Sequence, residues 1–474
     1  MSEDNKIDKF EDEQLSLLDI VKGTLKEEDF SEKLFNLTQE KSKGNKYINL
    51  FLKTFDKVSV NNEFYARLSL HLILGQLFKN FKLYVYGSYN DLRIHPFIMA
   101  PSGSGKSVAE AFIYTITQKL NIPFEIITGE VNEASLIGSW VPDKRNPNVM
   151  ALEEGILKRY EKGGILLADE GAILLKSAKK NYNLLLLLYL QSAMNPIGSP
   201  NNTIVRNLKY GAIKVEPQCS FGILTYPVKE LLLETLRMGL FQRALLYIRD
   251  LSPKDWVDMS KAIKEGILTS QNQASFNLLV KNYYDDIADL SNYLNSVKIW
   301  STGLSKLIIQ SDSNAIQIDN FITQYNELCS KVKDPMKEIL DSFRNRSLVE
   351  IFKIASHKAL LDKRLVVKDE DINYGLLIVK KSLHSTYKAL ESLEEVAKTV
   401  TSPEARWNKF KANLQFLKIK HNPDGTIPSN ELINLIINFF GLSQPSAFRL
   451  LEEWEKEGLL KWFDKRTKTS RIKI

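Results

Sequence analysis

Residues 101–107 read PSGSGKS, and no other stretch of the 474-residue chain restricts its fold as tightly. A short apolar run at 95–100 leads into it, and VAEAFIYTITQKL behind it repeats its apolar residues with helical spacing. Strand, glycine loop and helix in that order bring several backbone N–H groups and a helix N-terminus around a phosphate chain. Gly103 and Gly105 permit the close approach, which a Cβ would obstruct. Lys106 is placed to reach the β- and γ-phosphates, and the Ser107 hydroxyl to hold magnesium. The expected ligand is ATP with Mg2+, held by Pro101, Ser102, Gly103, Ser104, Gly105, Lys106 and Ser107. Ala100 stands where the pattern G-x-x-x-x-G-K-[ST] begins with glycine. It only enters the turn, so the change is expected to be tolerated.

Hydrolysis needs carboxylates beside that grip. Asp169 ends the apolar run GILLA at 164–168, which sets it at the C-terminal end of a buried strand, where ligands of open parallel sheets bind. It is expected to hold magnesium through water, and Glu170 to polarise the attacking water. Further strands are expected at 124–127, 220–225 and 245–248, with helical patterns between them. The fold class is therefore α/β, a parallel sheet with flanking helices.

Residues 1–64 read as an N-terminal arm with helices, and 65–254 as the α/β ATPase core. Helical spacing covers 47–81, and KLYVY at 82–86 alternates as a strand before a turn at 87–90. Residues 255–398 read as an entirely helical, separate domain, and 405–474 as a winged-helix domain. The last rests on start signals before ELINLIINFF and QPSAFRLLEEWEKEG and on the alternating basic tail KWFDKRTKTSRIKI.

Several of these segments resemble the minichromosome maintenance (MCM) helicases of the AAA+ class, over about residues 65–385. TGEVNEASLIGSWV at 128–141, then EEGILKRYEKGGILLADE at 153–170, is similar to the family's helix-2 insert running into its Walker B strand, with PDKRNPNVM as the insert. RNLKYGAI at 206–213 followed by CSFGILTYP resembles the presensor hairpin and sensor-1 strand, with Lys209 on the hairpin lysine. GLFQRALLYIRD at 239–250 resembles the arginine-finger segment, with Arg243 on the finger. The segment from NRSLVEIFK to VKKSL resembles the helical lid, with Arg346 on the sensor-2 arginine.

The resemblance implies an AAA+ core, catalytic roles for Arg243 and Arg346 beside Glu170, DNA as partner, and a homo-oligomeric ring, a hexamer. A guanidinium delivered by a neighbouring subunit would stabilise charge developing on the γ-phosphoryl oxygens. Tyr226 stands at the sensor-1 asparagine, which leaves Thr225 or Tyr226 to orient the water. The segment before the glycine loop is short and free of cysteine, so the family's N-terminal oligonucleotide-binding fold and zinc module are expected to be missing.

Two cysteines exclude a disulfide framework and fit a reducing, cytoplasmic setting. No apolar stretch is long enough to span a membrane, so no membrane partner is expected. The five histidines show no metal-ligand spacing. A net charge of +7 suggests a polyanion only where basic residues cluster. Lys209 and Lys214 on the hairpin and Lys465, Arg466 and Lys468 in the tail are the expected DNA contacts. Glu452, Glu453, Glu455 and Glu457 make the second C-terminal helix a poor complement to DNA. Two readings follow: a ring-forming DNA motor that helps replicate a chromosome or a mobile element, or an AAA+ protein-remodelling ATPase whose winged helix is a docking module.

Overall fold

Two helices open the described chain, α1 (Lys46–Asp56) and α2 (Glu63–Leu77), followed by the hairpin β1 (Lys82–Val85) and β2 (Ser88–Asp91). Next come β3 (Pro96–Met99), α3 (Lys106–Lys119), β4 (Phe124–Ile127), α4 (Glu133–Ile137), a hairpin of β5 (Gly138–Pro142) and β6 (Met150–Glu154), α5 (Ile156–Arg159) and β7 (Gly164–Ala168). Then follow α6 (Gly171–Ala178), α7 (Leu186–Met194), a second hairpin of β8 (Ile204–Leu208) and β9 (Gly211–Val215), β10 (Cys219–Thr225) and β11 (Leu245–Ile248). The remainder is α8 (Pro253–Ser270), α9 (Gln273–Ser301), β12 (Leu307–Gln310), α10 (Ala315–Lys331), α11 (Met336–Leu361), β13 (Val366–Val367) and α12 (Asp369–Thr401). This computed structural model describes residues 45–85, 87–178, 185–225, 240–249, 251–311, 315–331, 336–401, 407, 410–411, 426–440, 444–463 and 471–473.

Strands β3, β7 and β10 are buried at every position, as strands covered on both faces must be. They form the middle of a five-stranded sheet in the order β11-β3-β10-β7-β4, parallel throughout. Helix α2 is apolar around almost its whole circumference and is buried accordingly. Its start lies at the C-terminal ends of the strands, where the Phe64 ring meets Tyr247 at 4.8 Å. Its end lies at their N-terminal ends, where Gln76 donates to Gln218 O (2.9 Å) and accepts from Gly164 N (2.8 Å). The chain is thereby delivered to that lower edge, where β1 begins a smaller sheet of order β13-β12-β1-β2.

All five expected core strands are present, and the chain is α/β. Three expectations change. The boundary at 64/65 falls inside α2, and α1 packs on α3 through Phe51 and Phe55 against Phe112, at 5.2 and 5.3 Å between centroids. The region after 255 is not entirely helical, because β12 and β13 pair in parallel beside β1, and this first compact unit continues to Tyr387. Residues 88–90, expected within a turn at 87–90, instead belong to β2 and pair with β1.

The second unit, from Lys388, holds α13 (Ser429–Phe440), α14 (Gln444–Lys456) and the short strands β14 (Thr426–Pro428), β15 (Lys461–Phe463) and β16 (Arg471–Lys473). The strands form an antiparallel sheet of order β14-β16-β15. Its core gathers Trp407, Phe410, Ile436, Leu451 and Trp454. No described helix is long and apolar enough to cross a membrane.

Three buried histidines tie these elements together. His357 Nε2 lies 2.8 Å from Leu92 O, so it must donate, which leaves Nδ1 to accept from His71 Nδ1–H at 2.9 Å. His71 Nε2 then accepts from Tyr374 Oη at 3.2 Å. His95 Nδ1 accepts the Phe221 N–H at 3.0 Å. Burial lowers the pKa of all three, His357 to about 3. The unfolded chain therefore binds more protons below its histidine pKa of about 6.5, and stability falls as pH falls through that value. Buried Glu110, whose carboxyl is held up to about 7, binds a proton on folding in this range and offsets part of the slope. Urea unfolding between pH 6.5 and 5 should thus show the parent losing about 1.4 kcal/mol per pH unit more than His95→Asn, one proton's worth. Asn there can still accept from Phe221 N, and equal slopes would contradict a neutral His95.

Candidate functional site

The loop at 101–107 leaves β3 and runs directly into α3. Gly103 and Gly105 have φ of +78° and +82°, the left-handed backbone that favours glycine. Gly105 caps α3 without a side-chain hydrogen bond, so the helix N–H groups face the loop. A Cβ on Gly105 would stand 2.8 Å from Ser59 Oγ. Ala100 does not have a left-handed backbone, and its N–H is bonded to Thr225 O at 2.9 Å, so nothing at that position requires glycine. Lys106 Nζ donates to Ala100 O (2.6 Å) and Pro101 O (3.0 Å), and burial lowers its pKa. Ser107 is exposed at the first turn of the helix.

Asp169 and Glu170 follow β7, and β10 lies between that strand and β3. The two carboxylates and the loop therefore share the C-terminal edge of the sheet. Glu170 is exposed and takes a left-handed backbone, φ +53°, uncommon for a residue other than glycine. Such local strain is characteristic of functional positions. Gly171 follows because a Cβ there would meet Ile223 Cγ2 at 2.2 Å. Thr225 is buried at the end of β10, and its Oγ1 accepts from Ala172 N at 3.0 Å, so it caps the helix after Glu170. Tyr226 lies outside the described residues.

Sequence reasoning missed three participants. Glu110, one turn beyond Lys106, is buried against Asp169, and burial together with that carboxylate holds its pKa up to about 7. Its Oε1 and the neighbouring Tyr65 hydroxyl are buried without hydrogen-bond partners. An acid among Ala109, Phe112 and Ile113 on the buried stripe of α3 was the available signal, since glutamate is rarely buried. Arg249, buried at the end of β11, donates to Ser104 O at 2.7 Å and to Val60 O and Asn61 O at 3.2 and 3.3 Å. It pins the glycine loop to the segment between α1 and α2. Ser104 Oγ is also buried without a partner.

The donor set fits a phosphate chain with a hard cation. A loop of turned-in N–H groups, a lysine and a helix N-terminus suit the phosphates. A serine hydroxyl, Asp169 and unpartnered buried oxygens suit magnesium.

Arg243 and Arg346 lie elsewhere. Arg243 precedes β11, at the N-terminal edge of the sheet, and β11 runs parallel to β3 in register Leu245↔Pro96 to Ile248↔Met99. A strand of that length separates it from the loop by roughly 13 Å. Its Nε donates to Asn195 Oδ1 at 2.9 Å, and burial with nearby Arg346 lowers its pKa to about 10, still cationic at neutral pH. Arg346 lines a small cleft with Gln242, Phe343, Ser347 and Glu350, close enough to Arg243 for the two charges to interact, and both guanidiniums thus lie away from the glycine loop.

Lys209 and Tyr210 form the two-residue tip of the β8–β9 hairpin, with Leu208 paired to Gly211. In the sequence Tyr210–Gly211 reads as the turn at the tip; in the structure Gly211 instead opens the returning strand, where its carbonyl accepts from Trp140 Nε1 at 3.1 Å. Arg206 Nη1 donates to Gly138 O at 2.6 Å, so the β5–β6 and β8–β9 hairpins are joined side by side. Lys214 is exposed and paired with Glu216 at 2.6 Å. Lys465, Arg466 and Lys468 lie outside the described residues, as do residues 1–44. Asp362, Glu370 and Asp371 converge elsewhere but are ion-paired by Lys358 and Arg364. No protein-family model matches the chain, and no curated protein matches it.

Proposed function

We propose that this chain is an ATP-dependent DNA motor of the AAA+ class, similar to the MCM helicases, working as a homo-oligomeric ring. The observation that carries the reading is the glycine loop at the end of β3 facing Asp169 and Glu170 at the end of β7, with β10 between. In this reading the loop N–H groups and Lys106 bind the phosphates, while Ser107 and Asp169 hold magnesium, which supplies charge neutralisation when bound. Glu110 keeps Asp169 in place, and Glu170 orients and accepts a proton from the attacking water. Arg243 and Arg346, out of reach of their own loop, serve the loop of a neighbouring copy. The C-terminal unit, with its helix pair followed by a strand pair, supports a winged helix.

Lys209 at an exposed hairpin tip supports a grip on the sugar-phosphate backbone. Lys209→Ala is therefore expected to leave basal ATPase unchanged and to abolish its stimulation by single-stranded DNA. It should also lower the salt dependence of binding by a slope of about 0.7 per lost phosphate contact. A mutant stimulated like the parent, with the same salt slope, would move the assignment to protein remodelling.

A further inference from the structure

Helix α8 runs eighteen residues without burying one of them. Trp256, Ile263 and Ile267 recur at i, i+7 and i+11 and form one stripe, with Ile263 64% and Ile267 58% exposed. Phe276 and Leu279, in the first turns of α9, are exposed as well. The base of this helical hairpin is anchored, Asn61 Nδ2 donating to Asp258 Oδ2 at 2.9 Å and Lys57 pairing with Asp286 at 2.5 Å. It also borders the glycine loop: a Cβ on Gly103 would lie 3.7 Å from the Trp256 ring.

A second uncovered apolar surface lies at the opposite edge. In the β13-β12-β1-β2 sheet, Leu83, Ile308 and Val367 face the interior, and the alternate residues face out. Tyr84, Tyr89, Leu307, Ile309 and Val366 form that outer face, Tyr84 pairing with Tyr89 across β1 and β2 at 5.3 Å between rings. This sheet starts where α2 ends, at the N-terminal edge that also carries Arg243. Asp91 at the end of β2 binds Arg93, Arg93 donates to Asn195 O at 2.6 Å, and Asn195 accepts from Arg243.

We propose that the α8–α9 hairpin is a docking arm for a second copy of this chain, seated on the outer face of that copy's four-stranded sheet. The inference rests on the reading that Arg243 serves another copy's phosphates. That reading requires the loop edge of one chain to meet the Arg243 edge of the next, and these are the edges that carry the arm and the sheet face. Each surface is covered by a different surface, so the contact is head-to-tail, the kind that closes into rings. Scattered exposed apolar residues are ordinary, whereas contiguous stripes of this kind mark association surfaces.

The test uses the full chain with MgATP, followed by analytical ultracentrifugation. An arm variant, Ile263→Asp with Ile267→Asp, and a sheet variant, Tyr89→Asp with Ile309→Asp, should each sediment as one chain, while the parent assembles. All four positions are exposed, and unchanged circular dichroism and melting temperature will show that the variants fold. An equimolar mixture should give two-chain species and nothing larger, because one intact arm meets one intact sheet face and no further pairing remains. Assembly of either variant like the parent, a parent that stays one chain, or folded variants that do not pair when mixed would overturn the proposal. So would binding of the arm to anionic phospholipid vesicles in place of self-association. Mixing Lys106→Ala with Arg243→Ala separates the two claims. Without recovery of ATPase but with assembly dependent on arm and sheet, the docking arm stands and the trans arginine falls. Recovery alongside normal assembly of the arm variant does the reverse.

Discussion

Glu170→Gln should lower ATP turnover about a hundred- to ten-thousandfold, the range lost when a positioned proton acceptor is removed, while nucleotide affinity stays near that of the parent. The side chain is exposed beside Asp169 and bonds nothing in the loop, so its amide leaves the phosphate grip intact. Lys106→Ala should do the opposite. It removes a charge-assisted contact to phosphate of about 1.5–3 kcal/mol, weakening affinity roughly ten- to a hundredfold. Binding of a fluorescent ATP analogue and steady-state ATPase, measured on both variants, separate the roles. If both mutants lose binding equally, Glu170 is part of the grip and its catalytic assignment fails.

The largest expected loss of stability lies away from the phosphate loop. Arg93 is fully buried, pairs both Asp91 oxygens at 2.9 and 3.2 Å, and donates to the carbonyls of Ala193, Asn195, Pro217 and Cys219. Asp91 also accepts from Ile197 N, and Arg93 holds its carboxyl well below the usual range despite burial. Arg93→Leu strands a buried carboxylate together with those carbonyls, and breaking such a pair costs about 3–5 kcal/mol. That is a large part of a total stability of about 5–15 kcal/mol. Adding Asp91→Asn should recover part of the loss, read as a partial return of the urea midpoint. Equal midpoints for the single and double variants would show that the carbonyls, not the ion pair, dominate.

Much of this architecture was legible in the residues. The central strands announce themselves because burial on both faces demands unbroken apolar runs, and the glycine loop because few sequences put GSGKS between strand and helix. The shorter strands of the second sheet carry no such mark. Strand β12 has four residues and β13 two, too few for alternation to stand out from the helices around them. Arg249 and the segment at 59–61 reach the loop through tertiary contact alone, and no local pattern encodes that. Glu110 was readable in principle, as an acid on an otherwise apolar helical stripe. The hairpin tip lies one residue earlier than glycine suggests, because Gly211 opens the returning strand with a φ of +141°, a backbone that favours glycine.

The two edges of the central sheet have a kinetic consequence. On the proposed reading, a chain with its phosphate grip at one edge and its guanidiniums at the other would carry halves of two different sites and complete neither by itself. Activity per chain should then depend on how crowded the solution is, falling on dilution even though every molecule stays folded. Local abundance would act as the switch: scattered copies hold their fuel unspent, and only chains gathered in one place begin to burn it.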